Sequence, residues 1–162
     1  MKAVRILVTL ILLSPVLAST VLAQGWTTYT NARYGAKADV PPGFEPAGPE
    51  ARNSDGLIFR SHDGGFLTIY GADVPGRNFE AKIQEMMAHE KSYNGWNINA
   101  HRITPDWAEF SSDMGSRHLR VRAIASCNGR QVVVTRFEFS GNQKAISDRI
   151  KSSLQAVRAK SC

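Results

Sequence analysis

Short apolar-rich runs, cut apart by Gly, Pro, Asn and Asp, make up most of the chain and read as strands; a helical period replaces them twice. Residues 26–30 and 36–40 are strand candidates, the second stopped by Pro41-Pro42-Gly43, where missing amide donors end a ladder. Residues 45–55 read as loop. Residues 57–61 and 66–71 flank His62-Asp63-Gly64-Gly65, whose residues tolerate positive φ, and predict a hairpin. Over 78–93 the period lengthens: Phe79, Ile83, Met86 and Tyr93 share one helical face and Lys82, Glu85 and His89 the other. Asn78 can cap the start and Asn94-Gly95 the end.

Strands are predicted again at 97–103, 107–111 and 117–126, before Asn128-Gly129, the pair that two-residue hairpin turns favour. Using that pair as the turn sets Cys127 opposite Arg130, Ala125 opposite Val132, Ala123 opposite Val134, Val121 opposite Arg136 and Arg120 opposite Phe137. A closing helix over 143–157 would turn Ile146, Ile150, Leu154 and Val157 inward and Lys144, Arg149 and Lys151 outward. Hairpins alternating with two helices, without regular βαβ units, predict an α+β fold: one mostly antiparallel sheet covered by two helices.

The start of the chain carries a different signal. Lys2 and Arg5 precede an apolar run of about 12 residues and then Ser-Thr-Val-Leu-Ala, the layout of a secretory leader over residues 1–23, with Val21 and Ala23 as the small residues before cleavage. The run falls short of the roughly 20 residues a membrane-spanning helix needs, so no anchor is expected after cleavage. This reading gives a leader (1–23) and a single domain (24–162), with a periplasmic or secreted location. One core suits a domain of that size.

The 162 residues hold 20 Lys and Arg against 14 Asp and Glu; without Lys2 and Arg5 the excess falls from +6 to +4. That excess is too small to mark a polyanion binder, and nucleic acid is not expected as a partner. The two cysteines, Cys127 and Cys162, would pair in an oxidising compartment, clipping the chain's last residue to the end of an internal strand.

Tyr29-Thr30-Asn31-Ala32-Arg33-Tyr34-Gly35, the strand ending Val40-Pro41-Pro42-Gly43-Phe44, the middle helix, the late hairpin and the last helix together resemble the PsbP-like group and its exported bacterial relatives. Two positions depart from that pattern: Ala36 stands where a large aromatic usually follows Tyr-Gly, and Val40 where an aromatic often precedes the proline. The resemblance implies a sheet sandwiched by helices and a protein-binding accessory role, in photosystem II assembly or, for a eukaryotic relative, on a small GTPase. It supplies no catalytic motif.

Candidate chemistry is sparse. Ser61-His62-Asp63 has the residue types of a hydrolytic triad, but side chains adjacent in sequence do not reach relay geometry, and the stretch reads as a polar turn. His62, His89, His101 and His118 are scattered without the i, i+4 spacing of a helical metal site; no metal and no cofactor is expected. Asn53, Asp55 and Gly56 lack the remaining oxygens of a calcium loop. The aromatics, Trp26, Trp96 and Trp107 among them, read first as core, and Met86-Met87 as packing beneath the helix.

Strand alternation sends His118, Arg120 and Arg122 to one face, with Arg120 beside Phe137, a group able to hold a carboxylate or phosphate. The competing reading pairs these arginines with Glu109, Asp113 and Glu138 on neighbouring strands. The sequence thus points to a non-enzymatic binding or accessory protein of the bacterial envelope, its partner an envelope protein or an anionic ligand. The alternatives are a small periplasmic hydrolase assembled from His101, His118, Glu109 and Asp113, or an anionic lipid- or glycan-binding domain.

Overall fold

A computed structural model describes residues 25–50, 52–141 and 143–162. The leader proposed for 1–23 lies outside these residues. Ten strands and two helices follow in the order β1 (Thr27–Thr30), β2 (Ala36–Val40), β3 (Phe44–Pro46), β4 (Gly56–Ser61), β5 (Phe66–Asp73), α1 (Phe79–Ser92), β6 (Ala100–Ile103), β7 (Trp107–Met114), β8 (Arg117–Ser126), β9 (Gln131–Ser140), α2 (Lys144–Ser153) and β10 (Gln155–Ala156). The α+β class and the two helices match the sequence reading. The single sheet does not: the strands form a seven-stranded antiparallel sheet, ordered β3-β4-β5-β9-β8-β7-β6, and a separate three-stranded sheet, β1-β2-β10.

The large sheet buries apolar side chains on both faces. On one, Phe59, Leu67, Ile69, Val133, Phe137 and Phe139 meet Ala36, Ala38 and Val40 of β2 and Ile150 and Leu154 at the α2 end. On the other, Phe110, Leu119, Val121, Val132 and Val134 meet Phe79 and Ile83 of α1, and Trp96. Alternation along β8 and β9 feeds both cores from the same strands.

Asn78 caps α1, its side chain accepting from the Ala81 N–H at 2.9 Å. The inward face departs from expectation at its end. Tyr93 is 80% exposed and stacks on His89, while Glu90 is buried, holding Arg136 of β9 at 2.6 and 3.0 Å. The chain turns back at Gly95 (φ +71°), the Trp96 N–H bonds the Glu90 carbonyl at 2.9 Å, and the indole takes the core place Tyr93 was expected to fill.

The second helix ends earlier than its apolar period suggests. The Ser152 and Ser153 hydroxyls bond the carbonyls of Arg149 and Ile150 at 3.0 and 2.8 Å, offering the backbone an alternative to further helix. Leu154 is extended, and Gln155 and Ala156 pair with Lys37 and Ala36 instead. Within 45–55, read as loop, Glu45 and Pro46 belong to edge strand β3; Pro46 sits at its end, where an edge tolerates a missing donor.

The late hairpin has the predicted register, Ala125 against Val132 through Arg120 against Phe137. Asn128 (φ 54°, ψ 42°) and Gly129 (φ 79°) give the turn its left-handed pair, and the Arg130 N–H closes it on the Cys127 carbonyl at 3.2 Å. Cys127 is joined to Cys162, Cα to Cα 5.4 Å. The tail before Cys162 is bonded to the β1–β2 connection, with the N–H groups of Val157, Lys160 and Ser161 on the carbonyls of Gly35, Ala32 and Arg33 at 2.8, 3.1 and 3.1 Å.

Two expected outcomes follow. A Cβ on Gly71 would stand 2.1 Å from the Tyr34 Cβ, so Gly71→Val should lower stability by about 2 kcal/mol or more, read from urea unfolding of wild type and variant. Removing the cross-link with Cys162→Ser frees a loop spanning 35 positions; the same measurement should show a loss of up to about 4 kcal/mol, the chain-entropy value for such a loop.

Candidate binding groove

Helix α2 and the small sheet cover the large sheet over β4, β5 and β9, reach β8 at Ile124, and leave the same face open over the rest of β8, β7 and β6. On the open part, Trp107, Glu109 and Ser111 of β7 and His118, Arg120 and Arg122 of β8 are half-buried, alternating with buried Ala108, Phe110, Leu119 and Val121, which face α1. The α2 edge rises beside this strip. Two connected hollows result, of about 570 and 270 Å³, sharing Arg120 and Lys151.

The charges in the groove are largely paired. Arg122 Nη1 lies 2.6 Å from Glu109, and Arg120 Nη2 lies 2.8 Å from the Asp113 carboxylate oxygen that also meets His118 Nδ1 at 2.6 Å. Arg120 Nη1 donates to the carbonyls of Ser112 and Leu119 at 3.2 and 2.9 Å. Lys151 bridges from α2, 3.5 Å from Asp148 and 3.9 Å from Glu109. The hydrogen bond from His118, aided by Arg120 against a smaller opposing effect of burial, holds Asp113 below the usual carboxylate range. Trp107 lies between two guanidinium groups, those of Arg102 and Arg122, each 5.0 Å from its ring centroid.

Of the residues singled out in the sequence, His118, Arg120 and Arg122 share this face. Phe137 does not take part: it is 1% exposed, stacked on Phe139 at 4.6 Å and set edge-on to Phe44 at 5.8 Å. The cation near Arg120 is offered instead to Phe139, 5.9 Å away, because the guanidinium swings along the strand toward Asp113. The competing reading of paired arginines describes Arg120, Arg122 and Arg117, the last 2.9 Å from Glu138. Arg136 turns to the other face and Glu90.

Of the four groups offered for a hydrolase, His118 and Asp113 come together, whereas Glu109 is held by Arg122 and His101 stands opposite Phe110 on edge strand β6. Ser61-His62-Asp63 forms the expected turn. The Ser61 hydroxyl donates to Asp63 and accepts from the Gly65 N–H at 2.8 Å, and His62 enters neither bond. Asp55 is bound to Arg33 at 2.8 Å. Among the described residues no group of three His, Cys, Asp or Glu side chains is placed to hold a metal.

Sequence reasoning missed Arg102, Trp107, Ser147 and Lys151 as groove residues. Lys151 and Ser147 belong to a helix whose polar side looked solvated, and only the packing of α2 across β9 turns that side toward β8.

Comparison with known proteins places the fold. No family model matches the chain, and no curated protein matches it. Among solved structures, a point mutant of protein Mog1 is similar with a TM-score of 0.59 and 12% identity, over 84% of this chain and 97% of that one. The Ran-binding protein Mog1p of Saccharomyces cerevisiae is similar with a TM-score of 0.57 and 11% identity, over 83% and 96%. The chain therefore has a Mog1-like α+β fold.

Two expectations are corrected by this result. The resemblance to the PsbP-like group is replaced by the Mog1 likeness, since the weakly specific Tyr-Gly and Pro-Gly-aromatic pattern marks strand ends that unrelated sheets also need. The periplasmic or secreted location is withdrawn with it, because solved structures of a Ran-binding protein do not fit that address. No helix among the described residues is long and apolar enough to cross a membrane.

The Asp113 contacts carry a pH signature. A carboxylate whose folded-state pKa lies below the ordinary 3.8 adds stability above that value and loses it as pH falls through the folded-state pKa. Thermal melts should thus show Asp113→Asn less stable than wild type at neutral pH, with the gap closing as the pH is lowered below 3.8.

Proposed function

We propose that the chain is a non-enzymatic accessory protein that docks on a protein partner through the open face of β6, β7 and β8. The observation that carries this reading is Trp107, held between Arg102 and Arg122 on a sheet face that its own domain leaves uncovered. Trp and Arg are the residue types that most often anchor protein interfaces, and a ring already clamped by two guanidinium groups loses little freedom on binding. The strip mixes cations with Glu109 and Asp113 already engaged, which suits a partner presenting carboxylates that can bridge the guanidinium groups.

The Mog1 likeness supports the accessory role and supplies the partner class to try first, a small GTPase of the Ran type, since the yeast protein of this fold is described as Ran-binding. An enzymatic reading has one observation in its favour, the 2.6 Å contact of His118 with Asp113 beside the larger hollow. That carboxylate is shared with Arg120, whose guanidinium neutralises it, and the arrangement serves the groove's shape better than proton relay.

Calorimetric titration of the purified protein with a Ran-type GTPase tests the reading. Binding is expected, with Trp107→Ala weakening it about thirtyfold or more, the loss typical of an interface hot spot. Absence of binding would overturn the GTPase as partner. Binding unaffected by Trp107→Ala would overturn the surface.

A further inference from the structure

The end of the groove beside the start of α2 has a chemistry of its own. The N-cap position is Gln143, whose side chain makes no capping hydrogen bond; its amide group reaches Asp63 at 3.1 Å instead. The first turn holds no acidic residue and begins with Lys144. Helix dipoles disfavour a cation at this end, so the local sequence adds positive potential to positive potential. Asp148 answers Lys144 one turn on, but it also serves Lys151 at 3.5 Å.

That helix end opens on the hollow of about 570 Å³, whose other walls bring His118 and Arg120 from β8 and Phe139 from β9. Here too one carboxylate, Asp113, serves two basic side chains. A second, independent feature lies in the same wall. Ser147 is 2% exposed and lines the hollow, and its Oγ has no hydrogen-bond partner among the described residues. Buried hydroxyl groups are nearly always partnered, and this one stands unpartnered in the wall of a cationic hollow. Opposite, the His118 and Phe139 rings lie 5.1 Å apart and give the hollow an aromatic wall.

We propose that this hollow is a binding site for a small organic oxyanion of the phosphate monoester class. Its oxygens accept from the Ser147 hydroxyl, the Arg120 guanidinium and the free first-turn N–H groups of α2, and its carbon body lies against Phe139 and His118. Helix starts and guanidinium groups both recognise such oxygens, and the volume exceeds what a bare inorganic ion fills. The site stands on its own observations. It shares His118 and Arg120 with the proposed partner surface and leaves Trp107 outside.

The test is titration of the isotope-labelled protein by two-dimensional NMR with phenyl phosphate, with inorganic phosphate, with phenol and with vesicles of anionic phospholipid. Phenyl phosphate should shift the amides of Lys144 to Ser147 saturably, inorganic phosphate should bind more weakly, and phenol should leave these amides in place. Ser147→Ala should weaken phenyl phosphate about fivefold and Arg120→Ala about tenfold or more. Trp107→Ala should leave it unchanged, which keeps this result separate from that of the partner surface. Ser147→Ala removes a hydroxyl that bonds nothing among the described residues, so an altered fold does not confuse the reading. Shifts that never saturate, that spread over all basic side chains, or that survive Ser147→Ala intact would overturn the site. Equal binding of inorganic and phenyl phosphate would overturn the organic ligand, and binding confined to vesicles would replace it with a lipid surface.

Discussion

Strand β9 is covered on both sides, and the rest of the molecule is arranged to make that possible. From Gln131 to Thr135 every residue is buried, Val132 and Val134 toward α1, Val133 toward β2 and α2. A strand apolar on both faces needs two covers, and a chain of this length supplies one helix for one face and a helix with a three-stranded sheet for the other. Each cover is fastened by a polar contact. The buried Glu90–Arg136 pair, with Glu138 also reaching Arg136 at 3.2 Å, ties α1 to β9. The Ser153 hydroxyl, accepting the Asp39 N–H at 2.9 Å, ties α2 to the small sheet. Neither cover extends across the whole large sheet, and the groove is what remains.

That origin explains the groove's composition. A face strand exposed to water keeps the alternation of its neighbours but replaces apolar side chains with long amphipathic ones, whose stems cover the sheet while their charges stay wet. Arg102, Arg120 and Arg122 do this, and Trp107 persists among them because guanidinium groups lie on its ring. Most of the groove's charge is used internally. What is left over for a ligand is local: an uncapped helix start, a buried hydroxyl and carboxylates each divided between two basic side chains.

Local features were legible in the sequence and assembled ones were not. The Asn-Gly turn carries its own register, because the left-handed pair closes only one way, and Arg120 could be placed opposite Phe137 from letters alone. The cap at Asn78 was equally readable, since the carboxamide needs only the N–H three residues on. Phe137 was misplaced as a surface partner because alternation fixes its face but says nothing of which half of that face α2 covers. Tyr93 was misplaced because the helical period continues past the point where the chain turns under itself. Trp107 belongs to β7 and Ser147 and Lys151 to α2, two elements that meet only through the packing of α2, and no spacing along the chain encodes that meeting. The family reading failed for a related reason: at 12% identity the Mog1-like fold leaves no motif that letters could find.

The small sheet draws its three strands from the two ends of the described chain, β1 and β2 from the start and β10 from the last residues. Its closing contacts, Val157 on Gly35 and Lys160 on Ala32, span more than a hundred positions. During synthesis the apolar face of β5 and β9 therefore gains its full cover only once α2 and residues 155–160 have followed it. Whatever shields that face in the interval acts on a chain that stays sticky until residues 144–160 dock, and a change within that stretch interferes with the step that ends the exposure.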